Sequence, residues 1–347
     1  MPFKRFLFYL FLLAVGIWLF VYTLHAANLH QIAHFLIEIF SWKFVLILLF
    51  AFIAVIYISA IRCFIVLNHQ RQKPIFKHIL AAEFVGFAFS YLTPVTFFGG
   101  EPFRYVILKE GNHIESSYAI SSIIIEKMIL FLMAIITFLI GVVFFFIYVP
   151  LNFGTQLGIL IFLLVGMIAA LVFYYKVKKI IKERGFFLWL LDKLYLSKLK
   201  NVKKYESEIE AIEKQVENFY CTDSRARTKV FLISVLETII SIIFIWAMIY
   251  FLIGPMAMGK VLVVNDAIGI SGFIPLPAAL GASEVSQAYV FQNVGLTNSQ
   301  GIAFSLLLRT IFLVFSFIGV IIFVIYQINM IKSKIGRLFH HGRQKNI

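Results

Sequence analysis

The 347-residue chain is short of charge, of cysteine and of proline. Charged residues make up 14% and hydrophobic residues 61%, with a mean hydropathy of +0.94. A soluble chain would carry about twice that charged fraction, so a water-soluble globular enzyme is excluded. The two cysteines, Cys63 in an apolar run and Cys221 in a basic stretch, exclude a disulfide framework and any cysteine-based metal site. HExxH, Walker, GxGxxG and GxSxG patterns are missing, and with them the chemistry those motifs carry. The apolar runs are continuous rather than alternating, which excludes an outer-membrane barrel. What remains is an all-α, polytopic membrane protein in a single domain, 1–347.

Six runs approach or exceed the roughly 20 apolar residues that cross a bilayer: Phe6–Leu24, Phe44–Leu67, Tyr118–Tyr148, Leu157–Tyr175, Val230–Ile253 and Ile302–Ile328. The first follows Lys4 and Arg5 but is too long for a signal-peptide core and lacks a small-residue cleavage site, so it reads as an uncleaved span. The net charge of +14 is concentrated: 14 of the 31 Lys and Arg lie in 176–229, two at the N-terminus, four in 62–77 and five from Lys332 onward. That distribution follows the positive-inside rule and excludes nucleic acid as the partner it neutralises. Within 176–229, Phe186, Phe187, Trp189, Leu190, Leu194 and Leu196 suggest an interfacial amphipathic helix. Lys200–Glu217 reads as a charged, solvated helix, and 329–347 as a basic cytoplasmic tail.

Four of the eight prolines fall in two short stretches that repeat one pattern. It is an acid, two residues, Gly, seven residues, Pro, six residues, Glu: Glu83, Gly86, Pro94 and Glu101, then Asp266, Gly269, Pro277 and Glu284. The offset is 183 throughout. Proline and small residues here break what would otherwise be membrane helices, about 79–110 and 261–296. Irregular backbone at membrane depth is tolerated only inside protein or along a wet cavity, and a matched pair of breaks points to a transporter's site. Charge topology sharpens the pattern. With the N-terminus inside and 118–148 taken as one long span, both basic loops finish inside only if each broken stretch dips in and returns, the two from opposite faces. The expectation is an inverted repeat with halves at about 44–175 and 230–328.

In the first copy, Pro94 stops a helix at Thr93, Gly99 and Gly100 reverse the chain, and Pro102 opens a new helix with Glu101 near its cap. The new helix's free N–H groups then face the break, an arrangement that binds anions. Arg104, three residues after Glu101, shares its face. Arg104 with the helix start suits a lipid phosphate, and Glu101 suits a cationic headgroup or a proton; the plainer reading has Glu101 capping the helix and pairing with Arg104. In the second copy Pro275 and Pro277 break the helix, Gly281 turns it and Ser283 caps the next, while Gln287 stands in the place of Arg104. Glu126 and Arg309 occupy equivalent positions in long apolar runs, where charge is costly. The register predicts that they meet across a pseudo-twofold axis; the alternative pairs Glu126 with Arg104 and Arg309 with Glu284. Lys127 points away from Glu126 and snorkels or pairs elsewhere. Glu83 and Asp266 serve as caps or as site residues, and Glu237 is a further cavity candidate. His30 and His34 share a helical face without a third ligand, so no metal site, cofactor or catalytic residue is expected.

Thr93-Pro94, Gly99-Gly100-Glu101-Pro102 and Arg104, with Pro275, Pro277, Gly281 and Glu284, resemble the signatures of the lysylphosphatidylglycerol synthase transmembrane-region family. This is the flippase-like module also found at the N-terminus of the multiple peptide resistance factor. Ala278 and Ala279 stand where the family pattern has two glycines. The resemblance implies a flippase-like carrier in the bacterial cytoplasmic membrane with both termini cytoplasmic. Its implied partner is an anionic or aminoacylated phospholipid, or an isoprenoid-linked lipid; self-association is left open. Aminoacyl transfer in the complete factor belongs to a soluble C-terminal domain. With the sequence ending at Ile347 after a short basic tail, lysyltransferase activity is not expected. The alternatives are an intramembrane enzyme of envelope-lipid synthesis using paired carboxylates, and an accessory or scaffold subunit.

Overall fold

The structure is a computed structural model describing residues 2–25, 29–38, 42–94, 98–149, 206–222 and 224–344, with five isolated positions between 152 and 161. The described residues are helical, without strands. Eleven helices follow in order: α1 (Pro2–His25), α2 (Leu29–Glu38), α3 (Trp42–His69), α4 (Phe76–Leu92), α5 (Glu101–Asn112), α6 (Ser116–Tyr148), α7 (Glu206–Thr222), α8 (Ser224–Ile253), α9 (Met258–Phe273), α10 (Ala282–Asn293) and α11 (Asn298–Gln344). One turn of 3₁₀ helix, Pro277–Ala279, lies between α9 and α10. Among the described residues, four helices are long and apolar enough to cross a membrane: α3, α6, α8 and Asn298–Ile328 of α11. Residues 118–148 do form a single helix, α6, of 33 residues and thus about 50 Å. The expected span 157–175 and the amphipathic segment 186–196 lie outside the described residues.

The helix pattern is duplicated. Helices beginning at 42, 76, 101 and 116 recur at 224, 258, 282 and 298, a spacing of 181 or 182. In each set a long helix is followed by two short ones that fold back on each other, then by another long one. The backbone amide of Ile75, just before α4, donates to Asn112 Oδ1 at the end of α5 (2.7 Å). Likewise Lys260 Nζ, at the start of α9, donates to the carbonyl of Val294 just after α10 (2.7 Å). Each hairpin therefore begins and ends at the same end of the bundle.

The first helices of the two sets, α3 and α8, run antiparallel. Phe44 packs on Phe251, Phe52 on Phe244, and Arg62 reaches Glu237, so the contacts descend along one helix as they climb the other. The base of hairpin α4–α5 follows the end of α3, and that of α9–α10 follows the end of α8. The two bases consequently sit at opposite ends. Packing is reciprocal: α4 lies antiparallel to α11, with His78 at Tyr326 and Tyr91 at Phe312, and α9 lies antiparallel to α6. Glycines admit both crossings, Gly319 against the backbone of Phe84 and Gly141 against Asp266. Phe52 fills the centre, touching the rings of Phe87, Phe244, Phe312 and Phe315.

One expectation is corrected here. Helix α7 is charged on one side, yet it is not simply solvated. Its Phe219 is fully buried against Val66, Ile125, Ile129 and Val230, and Gln215 bonds Ser121 (2.6 Å) and Ser117 (3.2 Å) at the start of α6. An apolar stripe at helical spacing, Ile212 and Phe219, docks the helix across the end of α3 and α6.

Candidate functional site

Each hairpin carries buried charge near its turn. In the first, α4 ends at Leu92 with Thr93 extended, as Pro94 requires, and α5 starts at Glu101 with Pro102 second. The two short helices approach closely because both lack side chains at the crossing. Gly100 abuts the carbonyl of Gly86, and the aliphatic stem of Arg104 lies over Gly86. That path delivers the Arg104 guanidinium into a buried ion network.

Arg104 Nη2 donates to both oxygens of Glu126 at 2.8 Å and also pairs with Glu83. Arg62 of α3 pairs with Glu237 of α8, donates to Ser59 Oγ (2.8 Å) and sits 3.5 Å from Glu126. Ser59 in turn donates to Glu83 at 3.0 Å. At the rim, Lys127 Nζ meets Glu101 Oε1 at 2.5 Å, and Glu101 Oε2 lies 3.6 Å from Arg104. Arg62 is 1% exposed and Glu126 fully buried, so neither charge could persist unpaired. Among the described residues, four carboxylates (Glu83, Glu101, Glu126, Glu237) face three cations (Arg62, Arg104, Lys127), one positive charge fewer when all are ionised. Cys63 Sγ and oxygens of Glu83 and Glu126 lie within 4.8 Å of one another, the spacing of a cation site. Both carboxylates are already held by guanidinium groups, so a metal would have to displace Arg104.

The second hairpin is simpler. Arg309 donates to Glu284 Oε1 through Nη2 (2.6 Å) and Nε (3.0 Å), and to the carbonyl of Ala278 (3.2 Å). Ser305 donates to the same Glu284 oxygen at 3.2 Å and shares a hydrogen bond with Ser283. Tyr91, at the end of α4, packs on Phe312, and α4 contacts the 3₁₀ turn of the second hairpin. Ala278 and Ala279 hold φ of 52° and 49°, a left-handed backbone that glycine adopts without strain. The turn keeps its glycine-like shape with alanines in it. Helix α1 covers that turn, with Gly16 and Leu19 against Leu280 and Gly281.

Several expectations change. Glu126 and Arg309 do not meet; each pairs within its own half, Glu126 with Arg104 and Arg309 with Glu284. The start of α5 is not an open anion site. Gly100 N–H donates to Ser90 Oγ (3.1 Å), Glu101 N–H to the Phe98 carbonyl (3.1 Å) and Phe103 N–H to the Gly100 carbonyl (3.1 Å), while Pro102 has none to give. Glu101 makes no capping bond. Ser283 lies inside α10, whose cap is Gly281, with its N–H held by Glu284 Oε2 at 2.8 Å. Glu83 is no cap either: it sits in the middle of α4 within the network. Thr93, Pro94, Gly99 and Gly100 border the first turn, and Pro277, Gly281, Ser283, Glu284 and Arg309 the second. Arg62 was counted with the loop charges that follow it and proves to be central. The signal was available: an arginine in the run Phe44–Leu67 needs a carboxylate at membrane depth.

These features belong to a multi-pass membrane protein. The chain belongs to the family of the lysylphosphatidylglycerol synthase TM region, which matches residues 9–319 of 347. No curated protein and no solved structure matches it.

Proposed function

We propose that the chain is a flippase-like transporter that carries a phospholipid or lipid-linked headgroup between leaflets. Each folded-back pair reads as a re-entrant hairpin, and the two enter from opposite membrane faces as an inverted repeat. The observation that carries this reading is the antiparallel descent of Phe44–Phe251, Phe52–Phe244 and Arg62–Glu237, which places the two hairpin bases at opposite ends. Helix α4 of the first hairpin, by contrast, lies against the second hairpin's turn. A headgroup held between the two hairpins would meet Arg104, Glu101 and Lys127 on one side and Arg309 and Glu284 on the other. Rocking one half against the other would then expose that place to alternate leaflets. Arginines here hold the lipid phosphate, and the surplus carboxylate of the first network takes the positive charge it lacks from an amine headgroup or a proton. Family membership ties the chain to phospholipid, in keeping with this cargo.

The test is leaflet exchange of labelled phosphatidylglycerol and its lysyl derivative in reconstituted liposomes. Wild-type protein is expected to speed exchange over protein-free vesicles, and Arg309→Ala and Glu101→Gln to return it toward that background. Unchanged exchange in both variants would remove these residues from the site. Product formation by the purified protein alone would favour the intramembrane-enzyme alternative.

A further inference from the structure

Asp266 is the second-half counterpart of Glu83, yet its surroundings differ in kind. Glu83 is bonded by Arg104 and Ser59. Asp266 faces Gly141 of α6, close enough that a side chain there would collide with the carboxylate. The neighbouring Asn265 side chain is the polar group that bears on it, and no charged group among the described residues does. The nearest cation along α9, Lys260, gives its amine to the Val294 carbonyl and lies over the Tyr148 ring, 5.6 Å from its centroid. From α10 the adjacent polar group is Ser286, whose hydroxyl points to the Ala267 carbonyl at 3.5 Å. On α8, Glu237 is taken by Arg62.

The two halves differ at one matching position. Gln287 stands where the first half has Arg104, and its Oε1 is buried without a partner. Where the arginine stem lies over Gly86, the equivalent Gly269 is exposed and has nothing within 4 Å. A half-buried carboxylate pressed against α6 with no counterion is far cheaper neutral than ionised. Ionised, it needs water or a cation, and so a separation of α9 from α6.

We propose that Asp266 is a proton-binding site whose protonation holds α9 against α6 at Gly141, and whose ionisation releases that contact. Gly141 lies about 13 Å from the midpoint of α6, toward the end where the second hairpin has its base, so the proton enters from that face. Combined with the transport reading, on which this step alone rests, proton exchange at Asp266 couples the movement of one hairpin to the pH difference across the membrane.

The test reads the contact itself and needs no lipid movement. Nitroxide labels are placed at the exposed positions Ile140→Cys on α6 and Ile270→Cys on α9, in a full-length Cys221→Ser background in nanodiscs; Cys63 is fully buried. Pulsed dipolar spectroscopy is expected to give one short distance in acidic buffer and a growing longer population in alkaline buffer. Asp266→Asn should keep the short distance at both. Gln287→Arg, which places a cation where the first half has Arg104, should abolish the pH response from the other side by keeping the carboxylate ionised and paired. A wild-type distance unchanged by pH overturns the proposal. So does a pH response that survives in Asp266→Asn or in Gln287→Arg. A sound response in a protein that moves no lipid would leave the proton site standing and refute the transporter.

Discussion

Glu126→Gln is expected to be among the most damaging substitutions in the chain, lowering stability by about 1–3 kcal/mol, the cost of leaving buried donors short of an acceptor while Arg104 keeps Glu83 and Arg62 keeps Glu237. Both oxygens of Glu126 accept from Arg104, and Arg62 stands 3.5 Å away, all out of contact with solvent. An amide returns one carbonyl to that arrangement and turns its NH₂ toward two guanidinium groups. The arginines stay ionised because their intrinsic basicity leaves no neutral alternative. The matching control is Lys127→Met. Its pair with Glu101 sits at the partly open rim, where an ion pair contributes about 1 kcal/mol or less. Thermal unfolding in detergent, followed by tryptophan fluorescence, should show a much larger drop in midpoint for Glu126→Gln than for Lys127→Met. Equal drops would mean that the network is not the stabilising centre drawn above.

Gly100→Ala should come close in severity, and the same change at Gly269 in the second hairpin should not. A methyl at Gly100 would strike the Gly86 carbonyl and the Ser90 hydroxyl, so α5 would have to move off α4, taking Arg104 away from Glu83 and Glu126. Backbone cannot yield as a flexible side chain does, and overpacking of this kind typically costs about 1–3 kcal/mol, occasionally more. Gly269, equivalent to Gly86 in the repeated pattern, has open space where a methyl would go. Gly269→Ala is therefore expected to be neutral, or stabilising by up to about 1 kcal/mol through helix propensity. The folded yield on size-exclusion chromatography and the unfolding midpoint separate the two. Similar behaviour of both variants would contradict the asymmetric packing.

The hairpins were legible in the sequence because their signals are local. Pro94, Gly99, Gly100, Pro275, Pro277 and Gly281 each act on the backbone within a few residues, and the helices break where they stand. The pairing of charges was not legible in the same way. Arg62 meets Glu237 across 175 residues, and nothing near either one announces the other. The expected contact of Glu126 with Arg309 failed for a geometric reason. Equivalent residues of a twofold pair meet only if they lie on the axis, and these lie beside their own hairpins instead. The anion site at the start of α5 failed because Ser90 and the turn at Phe98–Gly100 satisfy the N–H groups, bonds that depend on folded geometry. What the register did expose was Gln287 against Arg104. That difference makes the two halves chemically unequal, and Asp266 has no charged partner among the described residues.

The central claim is that the two hairpins open to opposite faces of the membrane, with the charged turns between them. Sided thiol labelling tests it most directly. Single cysteines at Lys73, before α4, and at Met258, opening α9, occupy exposed positions at the two hairpin bases. In sealed, oriented vesicles of the Cys221→Ser protein, an impermeant maleimide should reach Lys73→Cys only from the cytoplasmic side and Met258→Cys only from the other. Labelling of both from the same side would contradict the inverted arrangement, and with it the alternating-access account.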